Sequence, residues 1–152
     1  MTTSGLSGGA LERVVGHVRG VGDGVVSTLG PDGGPQAAYL TLAVTARGEL
    51  VFDAREGSRK VANLRRDPRV AVVVGGADGT TLQVEGVADV PVGVDRARCA
   101  EAYAEAFPCF AASLVDPGIV VVRVVVRWAR WGDYRTSPPV VERLVGDAGG
   151  AG

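Results

Sequence analysis

Three clusters of turn-forming residues cut the middle of this chain into short apolar runs, and that punctuation restricts what it can fold into. Gly30-Pro31-Asp32-Gly33-Gly34-Pro35 separates residues 24–29 from residues 36–45. Ala46-Arg47-Gly48 separates that second run from residues 49–54, and Gly75-Gly76-Ala77-Asp78-Gly79 separates residues 69–74 from 80–90. Proline pre-sets φ and glycine supplies positive φ, so each cluster is a tight reversal. Runs joined by tight reversals pair as antiparallel hairpins. Residues 69–74 are continuously apolar after Arg69, which predicts burial on both faces, whereas 80–90 alternates through Leu82, Val84 and Val87. A last long strand is expected over residues 118–131.

Helices punctuate these strands. Leu11, Val14, Val15 and Val18 give residues 10–19 one apolar helical face. Residues 57–66 form a short helix with Val61 and Leu64 inward, ended by Asp67-Pro68. Residues 95–107 form another, with a stripe of Ala97, Ala100, Tyr103, Ala104 and Phe107. There is no βαβ alternation and no glycine-rich dinucleotide fingerprint. Six or seven antiparallel strands with short helices are best satisfied by a mainly-β small barrel, because closing the sheet removes its edges.

A chain of 152 residues, 46% of them hydrophobic, suits one domain, here residues 10–145. The Gly/Ala/Ser-rich segments 1–9 and 146–152 are expected to be disordered. A formal net charge of −1 gives no global attraction to nucleic acid or to an acidic membrane surface. The first residues have neither a basic region nor an apolar core, so no signal peptide is expected. The most apolar stretch, 119–126, is interrupted by Arg123 and is too short to span a bilayer. A cytoplasmic protein without membrane or nucleic-acid partners is expected.

Catalytic side chains are scarce. His17 is the sole histidine, and Cys99 and Cys109 are ten residues apart with no second pair, so no metal site is expected. A Ser/His/Asp or Cys/His system would need His17, and no nucleophile elbow surrounds any serine. What remains is a binding module, or an enzyme whose cofactor carries the chemistry.

Positive charge is concentrated locally. Between Arg55 and Arg69 lie six basic residues (Arg55, Arg59, Lys60, Arg65, Arg66, Arg69) against two acidic ones, Glu56 and Asp67. Lys60 is the sole lysine, and it ends Ser58-Arg59-Lys60 where a strand gives way to a helix. A hydroxyl, a guanidinium and an ammonium beside the free N–H groups of a helix start make a phosphate cradle.

Leu50-Val51-Phe52 followed by Ser58-Arg59-Lys60 and Asn63-Leu64-Arg65-Arg66-Asp67-Pro68-Arg69-Val70, then Leu82-Gln83-Val84-Glu85-Gly86-Val87-Ala88, then Trp128-Ala129-Arg130-Trp131-Gly132-Asp133-Tyr134 occur in this order. This succession resembles the flavin-binding split-barrel family of pyridoxamine 5′-phosphate oxidase, over about residues 25–134. The resemblance implies a homodimer with FMN in a cleft between subunits, and oxidoreductase activity on a small organic substrate. Hydride would pass between the flavin and that substrate or a nicotinamide donor. It also implies site residues. Ser58, Arg59 and Lys60 would hold the phosphate, and Tyr39, Leu40 and Thr41 would lie along the isoalloxazine. Asp53, Ala54 and Arg55 would flank the ribityl chain, with Thr81 or Gln83 and Trp131 completing the cleft. Trp131 reads equally as a barrel-closing core residue. No catalytic side chain is implied.

The departures from the family pattern are specific. The oxidases have an arginine where this chain has Ala38, a lysine at Ala43, and a glutamine at Thr81; their C-terminal arginine–histidine signature is absent. A phosphorylated vitamer is therefore not the expected substrate. Two alternatives stay open: the same fold with the 8-hydroxy-5-deazaflavin coenzyme (F-420), and a non-catalytic flavin- or haem-binding module. The loop 107–117, apolar and mobile by composition, is expected to line a substrate pocket.

Overall fold

The computed structural model describes residues 4–145. Eight strands run antiparallel: β1 (Asp23–Leu29), β2 (Pro35–Thr41), β3 (Ala43–Val44), β4 (Leu50–Arg55), β5 (Arg69–Gly75), β6 (Thr80–Asp89), β7 (Ile119–Asp133) and β8 (Val140–Val145). Helix α1 (Gly8–Val21) precedes β1, α2 (Arg59–Arg66) joins β4 to β5, and α3 (Gly93–Ala106) with a 3-10 helix (Pro108–Val115) joins β6 to β7. The strand order is β2-β1-β5-β6-β7-β4-β3, with β8 beside β7.

That order shows how the sheet closes. Strands β2 and β3 lie at opposite ends of it, yet only Leu42 separates them in the chain. Residues 36–45, expected as one strand, therefore break at Leu42. Its N–H donates to the Gly22 carbonyl at 2.9 Å, its side chain is buried, and the chain leaves β1 to pair with β4. β7 is the spine of the barrel. β6 pairs along one edge, while β4 and then β8 share the other, the first on 119–124 and the second on 129–133. A bulge between Glu85 and Gly86 shifts the parity of β7, so that Val122, Val124 and Val126 face inward before it and Ala129 and Trp131 after it. Gly86 is required there, because a Cβ would lie 2.5 Å from the Val125 carbonyl oxygen.

The interior is filled by alternate residues of every long strand, including Val26, Phe52, Val72, Leu82, Val84 and Trp131. Val14 and Val18 of α1 and Val61 and Leu64 of α2 pack against them. A second, smaller core lies outside the barrel, where Cys99 and Tyr103 of α3 and Leu114 cover Ala43, Val51 and Val121. Among the described residues, no helix covers Val25, Tyr39 and Val73 on the outer face of β2-β1-β5-β6, and all three are exposed.

Several expectations change for that reason. Residues 69–74 are not buried on both faces: Val70, Val72 and Val74 are buried, while Ala71 and Val73 lie on the uncovered outer face, Val73 42% exposed. The α3 stripe holds for Ala100, Tyr103, Ala104 and Phe107, but Cys99 is buried and Ala97 is exposed. Residues 108–115 are not a loose loop. They form the 3-10 helix, anchored by buried Leu114 and by Arg96, which donates to the Leu114 carbonyl at 3.0 Å. Residues Val140–Val145 add β8, an eighth strand where six or seven were expected. Of the terminal segments, 1–3 and 146–152 lie outside the described residues, whereas Leu6 is buried and α1 starts at Gly8, earlier than the expected Ala10. Among the described residues, no helix is long and apolar enough to cross a membrane.

Charge sits on the barrel in pairs. Arg69 donates to Asp67 and Arg135 to Asp133, and these hydrogen bonds hold both carboxyls down to about 2. Their folded pKa values lie below the ordinary 3.8, so their contribution is complete above that pH and is lost as pH falls toward 2. The thermal midpoint, followed by circular dichroism, should accordingly drop between about pH 4 and 2. A double variant Asp67→Asn/Asp133→Asn should flatten that slope.

Candidate functional site

The strand-to-helix junction is built by local hydrogen bonds. The Ser58 N–H donates to the Arg55 carbonyl at 3.0 Å, and Ser58 Oγ caps α2 by accepting from the Val61 N–H at 3.4 Å. The first backbone bond into the helix is Ala62 N–H to Ser58 O, so the N–H groups of Arg59 and Lys60 have no intrahelical acceptor.

Asn63 fixes where this helix start points. It is buried, and its Nδ2 donates to Thr28 Oγ1 and to Gln36 Oε1, both at 2.9 Å. Its Oδ1 accepts from Arg66, which also donates to the Leu29 carbonyl at 2.9 Å. These bonds clamp α2 to the β1–β2 hairpin. Asn63→Ala leaves buried Thr28 and half-buried Gln36 without this partner and should cost about 1–2 kcal/mol in urea unfolding.

The clamp places Arg59 and Lys60 over β2. With Val26, Thr28, Gln36, Ala37 and Ala38 they line a pocket of about 110 Å³. The six cations of residues 55–69 divide in two. Arg65 pairs with Glu56, Arg69 with Asp67, and Arg66 is held by Asn63 and Leu29. Among the described residues, the side chains of Arg55, Arg59 and Lys60 have no ion pair and no hydrogen bond. Unpaired cations thus gather at the N-terminal end of α2, where the helix dipole is also positive. Such an arrangement can hold an anion.

The other expected residues fall into three places. Tyr39 and Thr41 lie on the outer face of β2 and Leu40 points inward against the barrel core. Tyr39 is 71% exposed. Thr41 Oγ1 lies 2.9 Å from Tyr103 Oη, which donates to Asp53 Oδ1 at 3.1 Å, while Ser113 Oγ donates to Asp53 Oδ2 at 2.8 Å. Tyr103 and Ser113 therefore join the two strands that Thr41 and Asp53 represent. Burial, and then the Asp53 carboxylate, push the Tyr103 hydroxyl up to about 12, although the Thr41 hydrogen bond opposes them. Ala54 faces the barrel interior and Arg55 is exposed beside the helix start.

Thr81 and Gln83 sit half-buried on the outer face of β6, where Gln83 accepts a long 3.4 Å contact from Arg130. Trp131 is a core residue, capped by the Arg13 guanidinium 4.0 Å above its ring. None of these three lines the pocket of Arg59 and Lys60. Sequence reasoning missed Asn63, Tyr103 and Ser113 as polar anchors. Tyr103 was visible only as an apolar position in a helical stripe, and Ser113 belonged to a segment read as loop. The expected substrate loop contributes Phe107 alone to a cavity of about 610 Å³ between α1 and α3.

A profile of the pyridoxamine 5′-phosphate oxidase family matches residues 15–131. No curated protein sequence matches the chain. Among solved structures, a haem-binding protein from Mycobacterium smegmatis is similar over 91% of this chain and 59% of its own, with a TM-score of 0.75 and 21% identity. This chain thus spans less than two thirds of that protein. A conserved hypothetical protein from Mycobacterium tuberculosis is similar over 99% of this chain and 100% of its own, at TM-score 0.71 and 25% identity. The haem storage protein HutZ of Vibrio cholerae is similar over 77% of this chain and 90% of its own, at TM-score 0.65 and 16% identity. The profile match over residues 15–131 makes this chain a member of the pyridoxamine 5′-phosphate oxidase family.

Proposed function

We propose that this protein is an FMN-binding oxidoreductase, with Ser58, Arg59 and Lys60 on the FMN phosphate. One observation carries the reading: Arg55, Arg59 and Lys60 are unpaired at the start of α2, while the neighbouring cations are spent. A dianionic phosphate suits the pocket that Arg59 and Lys60 line, because it would supply the missing counter-charge and accept hydrogen bonds from the free N–H groups. When bound, the flavin supplies the hydride chemistry. The chain's own residues orient it. Tyr39, Leu40 and Thr41 offer a strand edge to the ring, and Arg55 adds positive charge beside the ribityl chain. Asp53 is held in place by Tyr103 and Ser113 rather than free.

The proposal includes a homodimer. The uncovered outer sheet face carries Val25 and Val73, 40% and 42% exposed, with Tyr39, Ala37 and Ala71 beside them. A second copy burying about 800 Å² per partner would cover this face and restore the two-sided burial that the 69–74 run suggests. Light scattering should give twice the 15.6 kDa chain mass, and Val73→Glu should shift the protein to monomer. A monomeric parent would overturn the dimer.

Haem binding without catalysis is the second reading, favoured by the haem-binding protein of M. smegmatis and by HutZ. The sole imidazole speaks against it, since His17 Nε2 is engaged 2.9 Å from the Val74 carbonyl. Absorbance of purified protein separates the readings. Flavin bands with the mass of FMN, bleached anaerobically by NADH or NADPH, are expected. A Soret band would establish the haem reading, a single deazaflavin band the F-420 reading, and a flavin that neither nicotinamide reduces would remove nicotinamide-dependent activity.

A further inference from the structure

One cavity lies apart from the residues proposed to hold the cofactor. It is a cavity of about 610 Å³ between the C-terminal end of α1, the Leu42 corner, the β3–β4 turn and α3. Its floor is apolar, formed by Val18, Leu42, Ala102 and Phe107. Arg98 in its wall gives Nη1 and Nη2 to Glu49 and Asp95, so its charge is paired, while its buried Nε has no hydrogen-bond partner.

The rim is different. Arg19 and Arg47 stand on the α1 and turn sides, and Glu101 and Glu105 on α3. Among the described residues, none of these four side chains has an ion pair or hydrogen bond. The two carboxylates lie one helical turn apart, which is repulsive. Glu105 also sits in the last turn of α3, against the negative end of the helix dipole. Among the described residues, neither glutamate has an ion pair and the last turn of α3 carries no basic residue. An ammonium placed between the two glutamates would offset both.

We infer that this cavity binds a small zwitterion with an apolar body, of the chemical class of an aromatic or branched amino acid. Its ammonium is taken by Glu101 and Glu105, and its carboxylate by Arg19 and Arg47, whose planar forks suit carboxylate. The apolar body lies on the Val18–Leu42–Phe107 floor. Two free charges of each sign leave the rim neutral, so a molecule carrying both charges is favoured over a net anion or cation. This inference stands apart from the flavin reading, since no cofactor residue enters it.

Calorimetric titration with L-phenylalanine, 3-phenylpropionate and phenethylamine tests it on the intact chain. Phenylalanine should bind, and each half-charged analogue should bind at least about tenfold more weakly, the change expected for one lost charge-assisted contact. Arg47→Gln should erase the advantage of phenylalanine over phenethylamine, and Glu101→Gln/Glu105→Gln its advantage over phenylpropionate. Ala102→Phe, which fills the cavity, should abolish binding of all three with an unchanged near-ultraviolet spectrum. Absence of phenylalanine binding, equal affinity for the three compounds, or binding that survives Ala102→Phe would each overturn the inference.

Discussion

Glu49→Ala is expected to lower stability by about 3–5 kcal/mol, the range for removing one partner from a buried charge network. Glu49 starts the run into β4, is 6% exposed, and accepts from Thr45 Oγ1 at 2.8 Å, from Arg98, and from Arg123 at 3.3 Å. Arg98 also reaches Asp95 at 3.1 Å, and Arg123 donates to Asp89 at 2.6 Å. This network ties α3 to β4, β6 and β7 beside the outer core. Burial alone raises the Glu49 carboxyl, but the hydrogen bonds from Arg98 and Thr45 and the charge of Arg123 overcome it and hold the group below the ordinary carboxylate range. Its contribution is therefore present at neutral pH and lost in acid. Removing it leaves the half-buried guanidiniums of Arg98 and Arg123 short of counter-charge. Chemical denaturation at pH 7 checks the magnitude, and a loss below about 1 kcal/mol would mean that water already screens the network.

The second large effect concerns the start of α2. Lys60→Ala should weaken FMN by about 1.5–3 kcal/mol, roughly ten- to hundredfold, because a charge-assisted contact in a small pocket is lost. Arg59→Ala should act similarly. Neither side chain has another partner among the described residues, so both variants should keep the parent unfolding midpoint. Ala38 lines the same pocket and brings no charge, so in the proposed site the positive charge there comes from Arg59 and Lys60. Fluorescence titration of apoprotein with FMN measures the loss.

The division between what the sequence discloses and what it hides follows the range of the interactions. Turns such as 75–79 and the capped Ser58 helix are local chemistry, and both stand where residue types put them. The Leu42 break was hidden, because nothing local distinguishes a continuous strand from one that changes partners across a closing barrel. Val73 misled for the same reason: apolarity announces burial, but not whether a helix or a second copy provides it. At the proposed site, the concentration of cations over residues 55–69 was legible from charge and spacing. The division between spent and free cations was not, since Asn63, Gln36 and Leu29 meet Arg66 only through the tertiary clamp. Tyr103 is the sharpest case. Its helical stripe marked it as core, and its ring is buried, yet its hydroxyl links Thr41 to Asp53 across residues distant in the chain.

The most direct test of the phosphate assignment is the ratio of FMN to riboflavin affinity, measured on the parent and on Lys60→Ala by equilibrium titration. Riboflavin lacks the phosphate and is otherwise the same ligand. The parent should prefer FMN by much more than about tenfold, and Lys60→Ala should lower that ratio about ten- to hundredfold while leaving riboflavin affinity unchanged. Equal affinity of the parent for both ligands, or an equal loss for both in the variant, would contradict the placing of the phosphate at Ser58, Arg59 and Lys60.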